Sequence, residues 1–507
     1  MPNSNAAVLP ANVRPTTYRL TLEPDLENFT FRGEVTVEIE VLEPTAAITM
    51  NCIEIAIQSC ELLPGNGAPL SPRETVFDDS QETVTFQFGS PIPSGRGRLD
   101  IRFTGELNDK LRGFYRSHYT DVEGRQQYMA TTQFEATDAR RAFPCWDAPA
   151  LKATFDVTLV IPSELETVSN MPVASETAVR AGMKAVRFAE TPVMSTYLLA
   201  FLVGDMASIE QRADSGTLIR VWATRGKEEQ GRFALETSVA LLAYFNEYFG
   251  IPYPLDKLDH LAIPDFAAGA MENWGAITYR EVALLVDPEH SSAATRQRVA
   301  TIVSHEMAHM WFGDLVTMAW WNDLWLNESF ASWMGDKAVD HLFPEWEMWT
   351  QFVSSDTNHA LSLDGLKNSH PIEQEVKNPA QIGELFDAIS YSKGASILRM
   401  LEQFLGQEEF RQGLHQYLTN HEYGNARTED LWDALEEASG QPVKSMMDTW
   451  VKQTGYPVLD IEVDRLRKSI EISCSQSRFV YEDILGRSQE DDTLWAVPIS
   501  VRTASDA

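Results

Sequence analysis

Residues 303–310, Val-Ser-His-Glu-Met-Ala-His-Met, hold the pattern that most constrains this chain. Two histidines four positions apart can serve one ion only on a helix, where such positions share a face. Neutral imidazole is a good zinc ligand, and Glu306, between His305 and His309, is spaced to act on water at the ion. Two histidines leave an ion under-coordinated, so a third donor has to come from elsewhere. Nineteen residues after His309 stands Glu328, within Trp325-Leu326-Asn327-Glu328-Ser329-Phe330-Ala331. That segment also reads as helical, with Phe330, Met334 and Ala338 on or near one side. Two crossing helices would give a two-histidine, one-carboxylate zinc site with an open position. Catalytic zinc is held this way, whereas structural zinc is four-coordinate without water. For the H-E-x-x-H pattern alone the rival reading is a plain structural helix, and the placing of Glu328 argues against it.

The rest of the chain divides by periodicity. Val35, Val37, Ile39 and Val41 alternate with polar residues, as do Val84, Phe86 and Phe88, then Leu99, Ile101 and Phe103, then Phe155, Val157, Leu159 and Ile161. Period-two alternation marks strands with one buried face, separated here by turns such as 64–67, Pro-Gly-Asn-Gly. The expectation for residues 1–205 is an antiparallel β-sandwich or saddle-like domain. From 206 to 455 most segments look helical: Leu235, Val239, Leu242, Phe245 and Phe249 recur at helical spacing before Gly250. Thr428 or Asp430 is the expected N-cap of a later helix that ends at Gly440. From 456 to 507 alternation returns in three runs, Val458 to Val463, Ile470 to Ile472 and Trp495 to Val501, which predict an incomplete β-sandwich. The whole is a multidomain α+β chain.

Charge narrows the partners. With 74 acidic against 41 basic residues, a formal net charge of −33, the chain lacks the basic face that nucleic acid or anionic lipid requires. An acidic protein attracts cations, the α-ammonium of a peptide among them. No stretch is apolar enough to span a membrane, and the N-terminus has no signal-peptide pattern. Four scattered cysteines, Cys52, Cys60, Cys145 and Cys474, suit a reduced, cytoplasmic protein.

Upstream of the histidines lies Gly269-Ala270-Met271-Glu272-Asn273, which by itself reads as a hairpin strand with one carboxylate. Taken with His305, Glu306, His309 and Glu328, it resembles the gluzincin aminopeptidases of the aminopeptidase N and puromycin-sensitive type. Thr132-Gln133-Phe134-Glu135-Ala136, Trp311-Phe312-Gly313-Asp314 and Ser390-Tyr391-Ser392-Lys393-Gly394 extend the likeness over nearly the whole chain. The resemblance implies a thermolysin-like catalytic domain with one zinc ion per chain, held by His305, His309 and Glu328. It implies Glu306 as general base and Tyr391 as the oxyanion donor. It also implies Glu272 and Glu135 as anchors of the substrate's free α-ammonium, with Gln133, Gly269, Ala270, Met271 and Asn273 in the same substrate site. The first side chain of a peptide with a free N-terminus would then lie near Phe134, Ala136 and Met271. Relatives of this type also carry a helical C-terminal domain, which this chain is expected to lack; oligomeric state stays open. Two further readings follow from the resemblance, an epoxide-opening relative and a non-catalytic peptide-binding scaffold.

Overall fold

The structure, a computed structural model, describes residues 8–65, 67–377, 379–466, 469–481 and 491–501. The N-terminal part is β-rich. In the strand Thr30–Val41, Val35, Val37, Ile39 and Val41 are buried while Arg32, Glu34 and Glu40 face water, as alternation requires. Seven strands form the largest sheet, in the order 173–180, 183–188, 154–162, 13–25, 30–41, 95–106, 55–64. It is mixed rather than antiparallel: Val13–Asp25 and Thr154–Pro162 run parallel. Parallel neighbours need a long crossover, which residues 26–153 provide and which alternation within single strands does not reveal. A three-stranded sheet (45–51, 83–92, 74–78) and a four-stranded one (166–169, 201–204, 126–133, 113–120) complete this region. The last of the strands leading towards the site ends at Gln133, opposite Gly113.

Residues 206–224 and 257–280, on either side of the expected helix at 232–249, depart from the helical expectation. They contribute a five-stranded sheet in the order 206–212, 218–224, 257–263, 276–280, 270–271. All seven residues of Lys257–Ile263 are buried. A strand covered on both faces has no polar alternation to read, and this one is parallel to both neighbours. Ala270–Met271 is the short edge strand.

Helix α1 (Arg232–Phe249) buries Leu235, Leu242, Phe245 and Phe249 and stops at Gly250 in the left-handed conformation. Helix α2 (Ala293–Ala308) begins with the Ser292 hydroxyl accepting from the Thr295 N–H at 3.1 Å. Helix α3 (Trp325–Leu342) packs on α2, and helix α4 (Gly394–Leu405) packs on α3. Two glycines allow these approaches. A Cβ on Gly335 of α3 would stand 3.1 Å from the His305 nitrogen, and one on Gly394 would stand 1.8 Å from Ser329 Oγ. Ser304 Oγ donates to the Gly335 carbonyl (2.9 Å), and Ser329 Oγ donates to the Ser390 carbonyl (2.5 Å). Helix α3 is thus locked between the histidine helix and the turn that leads into α4.

Two local expectations change. The helix Thr428–Ser439 is capped by Arg427; Thr428 is its first residue and donates its hydroxyl to Asp323 Oδ1 (2.6 Å), while Asp430 accepts from the Arg427 N–H (2.8 Å). Gly440 ends it as expected, at φ 66°. At the C-terminal end, Pro457–Arg465 and Ile470–Arg478 form a two-stranded hairpin. The described residues 491–501 form no third strand. There the Gln476 amide takes both backbone groups of Trp495, at 2.9 Å each, in place of a ladder. All four cysteines are free. Among the described residues no helix is long and apolar enough to cross a membrane.

Candidate metal centre and active site

Helix α2 presents His305 and His309 on one face, one turn apart, with their Nε2 atoms separated by 3.0 Å. Glu328, in the first turn of α3, brings Oε2 to 3.3 Å from His305 Nε2 and 3.4 Å from His309 Nε2. These ligand atoms lie within 4.8 Å of one another. The His309 Nδ1 is 2.9 Å from the Phe312 carbonyl. A carbonyl only accepts, so Nδ1 carries the proton and Nε2 keeps the lone pair that a metal needs. Glu328 Oε2 is buried with no hydrogen-bond donor of its own. Two imidazole nitrogens and a carboxylate oxygen suit zinc, so the residues present fit the ion.

More carboxylates crowd the same spot than one metal needs. One oxygen each of Glu135, Glu272 and Glu328 fall within 4.8 Å of one another, as do ligand atoms of Glu272, Glu306 and His309. Burial raises the pKa of Glu306, Glu135 and Glu272, and like charge adds to it at all three. At His309 burial opposes the charged form while Glu272 and Glu328 favour it, so its pKa is raised well above the ordinary value; a metal ion at Nε2 takes the place of that second proton. Glu135 Oε1, Glu272 Oε1 and Glu306 Oε2 are all buried without partners. Such a cluster is relieved by protons or by cations among the carboxylates.

These groups line one cavity of about 410 Å³. It brings together Gln133, Glu135, Ala270, Glu272, His305, Glu306, His309, Glu328 and Tyr391. Tyr391 lies in a π-helical turn, Ile389–Lys393, just before α4, and its ring stacks on His305 with centroids 5.9 Å apart. Burial and the surrounding carboxylates push its phenol well above the ordinary value, so it remains a hydrogen-bond donor. Gln133 reaches its Nε2 to 3.5 Å from the Glu135 carbonyl, leaving Oε1 buried and unpartnered.

Gly269, Met271 and Asn273 do not line the cavity. Gly269 accepts the Arg280 N–H through its carbonyl, Met271 is buried opposite Thr278, and Asn273 Nδ2 donates to Thr278 Oγ1. Phe134 belongs to the aromatic core with Phe143 and Phe201. Ala136 lines a larger adjoining cavity, of about 1170 Å³, which shares Arg112, Glu135, Asp138 and Phe386 with the first.

Sequence reasoning did not find Lys110, Arg112, Asp138 and Phe386 at the mouth, because they come from distant loops with no motif. It also passed over Asp314, fully buried with both carboxylate oxygens unpartnered and raised well above the usual range by burial and by Glu272. Its one signal was its place five residues after His309. On that side lies the half-buried Lys152, its pKa pushed down to about 7 by desolvation; its Nζ donates to Thr317 Oγ1 (2.9 Å) and the Gly424 carbonyl (2.6 Å).

Comparison with known proteins agrees with this geometry. Residues 14–198 match the peptidase M1 N-terminal domain, and residues 233–450 match the peptidase family M1 domain. Aminopeptidase M1 of Arabidopsis thaliana is 48% identical over 97% of this chain and 55% of its own length. Aminopeptidase 2, mitochondrial, of Saccharomyces cerevisiae is 46% identical (98% and 52%), and the puromycin-sensitive aminopeptidase of Caenorhabditis elegans 44% (99% and 53%). The chain therefore spans about half the length of the curated relatives it matches. Peptidases of this family are zinc metalloenzymes. With both of the family's domains matched in order and its metal-type donor set assembled in one cavity, this chain belongs to the peptidase M1 family.

Proposed function

We propose that this chain is a zinc metallo-aminopeptidase that releases the first amino acid from peptides with a free N-terminus. One observation carries the reading: a surplus pair of buried carboxylates, Glu135 and Glu272, stands within 4.8 Å of the Glu328 oxygen offered to the metal. A donor set alone makes a hydrolase; a second cation site at fixed reach makes an exopeptidase.

His305, His309 and Glu328 hold one zinc ion. When bound, zinc supplies Lewis acidity, which acidifies water and polarises a carbonyl. Glu306, with an unpartnered oxygen, takes the proton of the attacking water and returns it to the leaving amine. Its raised proton affinity suits both halves of that transfer. Tyr391 donates its hydroxyl to the carbonyl oxygen as charge builds there. Glu135 and Glu272 bind the ammonium and so set which peptide bond reaches Glu306. Gln133 Oε1 accepts from the same amine. The edge strand Ala270–Met271, with Gly269 and Asn273 flanking it, pairs with the peptide through its main chain, so the buried side chains of Met271 and Asn273 are no obstacle. Four free cysteines favour a reducing, cytoplasmic setting. The names of the relatives favour neither the epoxide nor the scaffold alternative.

The test is zinc analysis of the purified chain together with turnover of aminoacyl amides and their N-acetylated forms. One zinc per chain and cleavage of the free-amine series alone are expected. Equal cleavage of both series, or none of either with zinc bound, rejects the proposal.

A further inference from the structure

The two histidines are supported unequally from behind. His309 gives its Nδ1 proton to a backbone carbonyl at 2.9 Å, in a fully enclosed position. His305 has no such carbonyl: among the described residues its Nδ1 meets only the Ser332 hydroxyl, at 3.4 Å. For Nε2 to serve as a donor, Nδ1 must carry the proton, so Ser332 Oγ accepts it. The hydroxyl must then send its own proton onward, and no other described side chain or carbonyl is bonded to it.

Beside Ser332 lies a second cavity of about 410 Å³, which shares His305 with the active-site cavity and is lined among others by Thr301, Ser332, Asp336 and Gln351. Asp336 is one helical turn after Ser332 on α3 and so on the same face. It is 7% exposed, and its carboxyl has no hydrogen-bond donor among the described residues. A buried carboxyl without a partner is costly, and the Ser332 hydroxyl, one helical turn away and lining the same cavity, is a donor in search of an acceptor; the Arg399 guanidinium acts on the carboxyl only through its charge. Burial and the neighbouring Asp356 push this carboxyl up to about 8; protonated or not, it keeps an oxygen able to accept. The cavity has room and polar lining for a water to complete the link.

We infer that Ser332 and Asp336 are positioning residues which, as an outer relay, fix the tautomer and orientation of His305 and so set the affinity of the metal site. The inference rests on the metal reading proposed above. Removal of an outer-shell partner of a metal-bound histidine typically costs about 10–100-fold in metal affinity. The relay also differs in kind from the support of His309: a side-chain pair facing a solvent-reachable cavity can be altered without touching backbone.

The experiment measures zinc dissociation constants by chelator competition on the full 507-residue chain and its variants, with urea unfolding of the metal-free proteins alongside. Ser332→Ala is expected to weaken zinc about tenfold or more, with Ser332→Thr restoring most of the loss. Asp336→Ala should weaken zinc as well, and the double variant should be no weaker than Ser332→Ala alone, because one chain of contacts is broken once. The metal-free midpoints should not follow this order. Zinc affinity of Ser332→Ala within twofold of the parent, or full additivity in the double variant, overturns the relay. A parent chain that binds no zinc fails the underlying reading instead, and the two failures are told apart by that first measurement.

Discussion

The Nε2 atoms of His305 and His309 stand 3.0 Å apart, each with a lone pair directed at the same point and Glu328 Oε2 beyond. A metal ion between them satisfies both nitrogens and the carboxylate at once. Chelation should therefore abolish turnover and lower Tm, and zinc at about a thousandfold excess over its Kd should add about 4 kcal/mol of stability. A chelated chain with unchanged Tm and activity would contradict the donor set.

Glu306 lies within 4.8 Å of His309, and the proposed function makes it the base and not a ligand. Glu306→Gln should retain zinc at full stoichiometry while kcat falls by roughly 10²–10⁴. Zinc analysis and steady-state kinetics on one preparation decide the matter; loss of the metal along with activity would reassign Glu306 as a ligand.

In the function proposed above Glu272 and Glu135 share the substrate ammonium, so removal of either should leave the metal in place and damage amine recognition. Glu272→Ala should raise KM for free-amine amides by tenfold or more, about 1.4 kcal/mol for each factor of ten. The check is a KM comparison across amines of different basicity, where an unchanged profile rejects the anchoring role.

Tyr391 reaches the cavity from a different segment than either histidine, with its ring on His305. Tyr391→Phe keeps that stacking and deletes the donor. The expected result is a fall in kcat of about 10²–10³ with little change in KM or zinc content. A neutral substitution would exclude the hydroxyl from the chemistry.

Backbone approach at the Tyr391 turn is equally testable. A methyl on Gly394 would fall 1.8 Å from Ser329 Oγ, whereas one on Gly269 meets nothing within 4 Å. Gly394→Ala should cost about 1–3 kcal/mol in urea unfolding, and Gly269→Ala should stay within about 0.5 kcal/mol of the parent. Equal midpoints for the two would refute the close packing of α4 on α3.

Much of the metal centre was written locally. His305 and His309 are spaced by one helical turn, and their convergence follows from helix geometry before any packing. The amphipathic strands of the N-terminal region were legible for the same reason, since one wet face leaves a period of two. Lys257–Ile263 was not, because a strand dry on both faces has no polar positions to mark its period. Nor could alternation disclose that Val13–Asp25 lies beside Thr154–Pro162 in parallel, a pairing made by a distant crossover.

What the sequence determined by itself was therefore chemistry at short range: which residues could bind a metal, and which segments had one apolar face. Tertiary structure alone decided that Glu135, at the end of a β-region more than a hundred residues earlier, comes within 4.8 Å of Glu272 and Glu328. It alone left Asp314 buried without a partner and set Ser332 against the back of His305. The physical reason is range. Helical and strand periodicity act over a few residues, whereas burial, charge crowding and orphaned hydrogen-bond groups exist only once distant segments have been brought together.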